Sequence, residues 1–186
     1  MSAPHNKERY GELWPQERID LGLLVLERLK DLVVISGGWA WHFMSPVGHP
    51  EYKHAHDHKD LDLFVPPANV AEVMVRLQGM DFLPVWTKYD RLESKEDFRR
   101  YEKTVEVPNT WPDTDGKTTR ITIDFFVRDV PSIERQGFRV VPPATLLTFY
   151  QNIHSSDKCF AVTAAHKLIA RGIDPIDHPD LVKIPR

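Results

Sequence analysis

The run His58-Lys59-Asp60-Leu61-Asp62-Leu63-Phe64-Val65 opens polar, alternates from Asp60 to Leu63 and then turns wholly apolar, and Pro66-Pro67 stops it. A period of two is the signature of a strand, because successive side chains point to opposite faces. A strand over 61–65 sends Leu61, Leu63 and Val65 into the core and leaves Asp60 and Asp62 together on the other face. Two carboxylates at the mouth of a buried strand repel each other unless a cation lies between them, and hard oxygen ligands suit Mg²⁺. The plainer reading is a pair of solvated aspartates at a strand end.

On the N-terminal side, Leu32-Val33-Val34-Ile35 is a second short β-rich run, bounded by Ser36-Gly37-Gly38. The spacing predicts a buried strand over 32–35, a tight turn, and a helix from Trp39 to Met44. Glycines between a strand and a helix let backbone approach a ligand, and exposed N–H groups at a helix start favour phosphate; more often a Gly-Gly turn is simply a turn. Further upstream, Ile19, Leu23, Leu26 and Leu29 recur at helical spacing and predict an amphipathic helix over Glu17 to Lys30. Residues 1–16 are polar and read as an arm. The segment 45–59, SPVGHPEYKHAHDHK, reads as a loop. Its alternating His54, His56 and His58, with Asp57, are competent zinc ligands, but no second ligand cluster exists to close a tetrahedron. A histidine-rich lip beside the aspartates, with His58 and Lys59 nearest them, is the preferred reading.

On the C-terminal side, Val70, Val73, Met74 and Leu77 share one face of a helix over Ala68 to Gln78, and Phe82 to Trp86 is a short strand. Residues 88–103 hold six basic and five acidic side chains and read as a solvated excursion or a substrate-facing insertion. Lys103 to Val107 and Thr118 to Val127 read as paired strands joined by turn chemistry. Within the second, Asp124 is embedded among apolar residues, where a lone carboxylate costs several kcal/mol unless it is paired or binds metal. Parity puts Asp124 with Thr122 and Phe126, opposite Ile121, Ile123, Phe125 and Val127. Three aspartates on two strands, placed to converge, describe a metal site for phosphoryl transfer. Pro142-Pro143 opens a helix over Ala144 to Asn152, and a longer one runs from Asp157 to Arg171.

Composition sets the outer bounds. At about 150 residues per domain, the 186 residues make one domain. The expected division is an arm over 1–16, a core over 17–130, and a helical segment over 131–186 packed on it. Lys+Arg is 24 against Asp+Glu 27, a net charge of −3, so the basic excess usual for a nucleic-acid binder is missing overall. The single cysteine, Cys159, excludes an intrachain disulfide. No stretch reaches the roughly 18–20 apolar residues of a membrane helix, and residues 1–13 lack the apolar centre of a signal peptide. The expected location is the cytoplasm. Trp39, Trp41, Cys159 and His166 read as packing residues.

The ordered set SGGWAWHFM, HDHKDLDLFV and ITIDFF resembles the nucleotidyltransferase superfamily of the polymerase-β type. It is closest to the lincosamide and aminoglycoside nucleotidyltransferases and to nucleotidyltransferase toxins of the abortive-infection type. The resemblance covers residues 18–127. It implies an α/β (α+β) fold: a short mixed sheet flanked by helices, with a C-terminal helical segment. It implies transfer of a nucleoside monophosphate from an NTP to an acceptor hydroxyl, with Mg²⁺ or Mn²⁺ as cofactor. Ser36, Gly37 and Gly38 would hold the triphosphate, and Asp60, Asp62 and Asp124 would hold the metal and serve catalysis. The relatives' Lys-Asp-x-x-Asp run has its nearest text at Asp157-Lys158-Cys159-Phe160-Ala161-Val162, which keeps Lys158 for a phosphate and lacks the later carboxylates. The family's arginine ahead of the aspartates is absent, with Lys53 or Lys59 as substitutes. The implied partners are the NTP and an acceptor, either a small molecule such as an antibiotic or a tRNA end. An antitoxin or a second copy of the chain extends the list for toxin-like relatives. The rival readings are a non-catalytic binding protein on the same fold, and a zinc-dependent or scaffold protein built on the histidine loop.

Overall fold

A computed structural model describes residues 16–44, 58–87, 98–106, 118–152, 167 and 169–171. Helix α1 (Gln16–Leu29) leads into strand β1 (Val34–Ile35), helix α2 (Gly37–Met44) and strand β2 (Asp60–Val65). A 3-10 turn over Pro67–Asn69 opens helix α3 (Val70–Gly79), with proline in its first positions, where the missing N–H is no loss. Strands β3 (Leu83–Val85), β4 (Phe98–Val105), β5 (Thr119–Val127), β6 (Ile133–Arg135) and β7 (Phe138–Val140) follow, then helix α4 (Pro143–Asn152).

The strands form one mixed sheet in the order β3-β4-β5-β2-β1-β7-β6. β2 lies between β5, to which it is parallel, and β1, to which it is antiparallel. Leu61, Leu63 and Val65 of β2 and Ile123 and Phe125 of β5 are fully enclosed, as alternation requires of core-facing positions. Tyr101 of β4 stacks on Phe125 from the adjacent strand, and burial pushes its phenol pKa upward.

Two polar or small residues on α1 fix how the helices sit. The buried positions of α1 are Arg18, Gly22, Val25, Leu26 and Leu29, so its inward stripe is rotated from the Ile19-Leu23-Leu26-Leu29 face expected from spacing. Arg18 is the reason at one end. Its guanidinium donates to the Lys59 carbonyl at 2.7 Å, to Thr119 Oγ1 at 3.1 Å and to the Arg120 carbonyl at 3.5 Å. One side chain therefore ties α1 to the entrance of β2 and the start of β5. Gly22 is the reason at the other end, because the Trp39 indole of α2 lies directly on it; a Cβ at Gly22 would stand 2.8 Å from Trp39 Cη2.

Two departures from expectation involve strands. β4 begins at Phe98, inside the segment whose mixed charge reads as an excursion. Two of its charges have partners within the fold: Lys103 Nζ donates to the Met80 carbonyl at 2.8 Å, and Arg100 pairs with Asp124. The second departure is the β6–β7 hairpin, which the helical expectation for 131–186 does not contain. Gln136 and Gly137 have φ of 53° and 80°, the left-handed pair of a two-residue turn that matches strand twist. β7 then adds to β1 in parallel through Ile35 and Val140. Of the expected helix from Asp157 to Arg171, residues 167, 169 and 170 are described and are helical; the remainder lies outside the described residues. No helix among the described residues is long and apolar enough to cross a membrane.

Gly22 yields a test in which two effects have opposite sign. Helix propensity alone would make Gly22→Ala stabilising by about 0.8–1 kcal/mol. Contact with the Trp39 ring should instead make it destabilising, by about 1–3 kcal/mol as for other overpacked sites. Chemical denaturation of the two proteins reads the sign directly.

Candidate active site

The registers place three rows of side chains on one face of the sheet across β4, β5 and β2. The middle row is Arg100, Asp124 and Asp62, because Arg100 pairs with Asp124 and Asp124 with Asp62. On one side lies Glu102, Thr122 and Asp60, and on the other Phe98, Phe126 and Phe64. Parallel neighbours lie about 4.8 Å apart, so Asp62 and Asp124 are adjacent on the same face, as strand parity requires. Asp60 sits one pleat away on the same face.

The middle row continues onto the glycine turn. The Ser36 amide donates to the Asp62 carbonyl at 2.8 Å, and the Ser36 carbonyl accepts from the Ala40 amide at 3.1 Å. Ser36 thus both extends the β1–β2 pairing and starts α2. Gly37 has φ of 58°, and a Cβ there would stand 2.9 Å from Asp62 Cγ. Glycine is required twice over: for the left-handed backbone, and for the closeness of the Asp62 carboxylate. Ser36-Gly37 and Asp62 are one packed unit.

Asp124 is only 7% exposed. Arg100 Nε and Nη2 donate to its two carboxylate oxygens, each at 2.6 Å. The hydrogen bonds from Arg100 to Asp124 raise the arginine pKa further above its ordinary value, overcoming burial, and the fields of Asp124, Asp60 and Glu102 add to the shift. Arg100 is therefore a permanent cation in the row. Sequence reasoning missed it, because it lies in a run whose alternating charges mask the strand. The signal available was parity: Arg100 shares a face with Phe98 and Glu102 once β4 is known.

The aspartates supply oxygen ligands that fit a hard divalent cation, yet their side chains are not gathered for one. Among the described residues, no three His, Cys, Asp or Glu side chains close on a point that would hold a metal ion. The expected convergence holds for the strands and not for the carboxylates. The physical reason is that Asp124 is turned to Arg100 and Asp62 is packed against Gly37.

The histidine expectation changes as well. His58 is 4% exposed, with Nε2 3.0 Å from His42 Nδ1 and its ring edge-on to Trp39 at 4.5 Å. It is a buried strut joining α2 to the entrance of β2, not part of an open lip. Lys59 is exposed, and its carbonyl is the one held by Arg18. His54, His56, Lys53, Lys158, Cys159 and His166 lie outside the described residues. Trp39 and Trp41 are core residues, as expected.

The fold is similar to that of JHP933 from Helicobacter pylori. That crystal structure aligns with a TM-score of 0.56 and 12% identity over 79% of this chain, which spans 63% of JHP933. Two other structures align more loosely. One is the lincosamide antibiotic adenylyltransferase LnuA bound to lincomycin, with a TM-score of 0.48 and 8% identity over 83% of this chain and 98% of that one. The other is the Megavirus polyadenylate synthase, with a TM-score of 0.43 and 12% identity over 89% of this chain and 36% of that one. The mixed sheet flanked by helices is the α/β (α+β) fold expected. At these identities the likeness concerns the fold. No protein-family model matches the sequence, and no curated protein does.

The Gly37–Asp62 contact is testable by a double-mutant cycle. Gly37→Ala should cost about 2 kcal/mol or more, from the left-handed backbone and the crowding against Asp62. Removing the carboxylate with Asp62→Ala should recover the steric part. The double mutant should then be more stable than the sum of the single effects by about 1 kcal/mol, measured by urea denaturation.

Proposed function

We propose that the protein transfers a nucleoside monophosphate from an NTP to an acceptor hydroxyl. The acceptor oxygen attacks the α-phosphorus, the bond to the α–β bridging oxygen breaks, and pyrophosphate leaves. The observation that carries this reading is the row Asp124, Asp62, Ser36-Gly37. It sets two neighbouring carboxylates beside a buried strand-to-helix junction, where Gly37 packs on Asp62 and Gly38 is half-buried.

In this reading Ser36, Gly37 and Gly38 bind the triphosphate, with Lys158 as a further phosphate contact. Asp62 and Asp124, with Asp60 beside them, hold Mg²⁺ or Mn²⁺, which when bound neutralises phosphate charge and aligns the reacting oxygens. Asp124 receives the acceptor's proton. The row sits on a face shared with Phe64, Phe98 and Phe126, so an acceptor approaching Asp124 meets aromatic surface on one side and charge on the other. Lincomycin bound to LnuA makes a small polyhydroxyl compound one acceptor class to test, and a tRNA end is the other.

One observation favours a second reading. A fork already neutralises Asp124, as would suit a binding protein that has given up catalysis while keeping the fold.

The experiment is to incubate the protein with Mg²⁺ and each α-labelled NTP, with lincosamides or total tRNA as acceptors, and to follow transferred label and released pyrophosphate. Asp62→Ala should lower transfer at least about a hundredfold, since even the residues that support metal ligands cost 10–100-fold when changed. Its melting temperature should hold or rise, because one of two adjacent carboxylates is gone. A wild-type protein that transfers no label from any NTP to either acceptor class would favour the non-catalytic reading.

A further inference from the structure

Arg100 reaches Asp124 from the neighbouring strand with the planar fork geometry that makes arginine–carboxylate pairs strong and directional. Both donors lie at 2.6 Å, one on each oxygen. The pairing is set by register, since the two residues face each other across β4 and β5, so it needs no induced movement to form. The Asp124 side chain is 11% exposed and the Arg100 side chain 32%. The carboxylate is thus fixed in the sheet, while the guanidinium has an open side toward which it can leave. Asp60 and Glu102 lie in the adjacent row, so the guanidinium also balances the anions around it.

A divalent cation at Asp124 would stand within a few ångströms of this fixed positive charge and would seek the same two oxygens. We propose that Arg100 is an internal competitor for the metal: divalent-cation binding at Asp124 requires the guanidinium to leave the carboxylate, and Arg100 thereby sets the metal affinity of the protein. Arg100 is on this account a positioning residue, acting through Asp124. The inference rests on Asp62 and Asp124 forming the metal site, and the test separates the two.

The probe is the metal alone. Free Mn²⁺ is titrated by electron paramagnetic resonance into the full chain as wild type, R100Q, R99Q and D62N. R100Q should bind Mn²⁺ at least about tenfold more tightly, one decade being the lower end of what an opposite charge at this range does to a carboxylate's equilibrium. R99Q removes the same charge one residue away, at a position paired with Phe125 on the opposite face, and should change affinity by less than about twofold. In the wild type, the Arg100 Nε–H resonance, assigned by its loss in R100K, should move in step with Mg²⁺ binding as the fork opens.

Unchanged or weaker Mn²⁺ affinity in a folded R100Q overturns the inference, as does an Nε–H resonance that stays in place while Mg²⁺ saturates the protein. Should R100Q fail to melt cooperatively, R100K decides. It keeps the charge without the fork and should still bind Mn²⁺ more tightly than wild type; equal affinity sinks the idea. D62N distinguishes the two levels. If it lowers Mn²⁺ affinity and R100Q does not raise it, the metal site stands and the competition falls. If D62N binds Mn²⁺ as well as wild type does, the metal reading itself fails.

Discussion

The parallel pairing of β2 with β5 is the constraint from which the polar chemistry of this protein follows. It sets Asp62 beside Asp124. Like charges on neighbouring strands repel, and the repulsion grows as the local dielectric falls. A slip of one residue would turn Leu61, Leu63 and Val65 out of the core, forfeiting roughly 1.5–3 kcal/mol for each buried side chain. The apolar face therefore fixes the parity of the pairing, and with it the face that the carboxylates share. Arg100 then makes the arrangement tolerable in the absence of any ligand, because its fork is aligned by the same sheet.

Arg18 has a comparable role on the scaffold side. A buried arginine is costly unless hydrogen-bonded, and this one is satisfied by the Lys59 and Arg120 carbonyls and the Thr119 hydroxyl. Lys59 immediately precedes Asp60, and Thr119 opens the strand that carries Asp124. The two strands whose pairing creates the site are thus clamped at their shared entrance by one side chain from α1. Gly22, a turn further along α1, admits Trp39, and Trp39 packs on His58. The helix, the turn that follows β1 and the approach to β2 form one continuous packed chain of contacts leading to the carboxylates.

Much of this was legible in the sequence because it rests on local pattern. The alternation of β2 and β5, the glycines between β1 and the body of α2, the existence of helices α1 and α3 and the parity of Asp60, Asp62 and Asp124 are properties of single segments. What was not legible depends on partners. Arg100 and Lys103 are charged residues in a strand, and their charge reads as solvation until Asp124 and the Met80 carbonyl are known to face them. His58 reads as an exposed loop histidine until His42 is set beside it. The β6–β7 hairpin turns on Gln136-Gly137, a weaker signal than Asn-Gly, and its place in the sheet comes from β1, a strand of two residues.

The position of the site on the sheet also has a sequence cause. In β2 the pattern changes within six residues, from alternating at Asp60-Leu61-Asp62 to continuously apolar at Leu63-Phe64-Val65. Continuous apolarity marks strand covered on both faces, and alternation marks strand covered on one. Phe64 is accordingly roofed by Phe149 of α4, at 5.4 Å between ring centroids, while Phe126 on the next strand is 38% exposed. The edge of the helical cover runs between β2 and β5, one pleat beyond the carboxylates. A ligand held at Asp62 and Asp124 would therefore lie against the rim of α4, with open sheet on the β5 side, and the point where alternation stops in β2 is what places that rim.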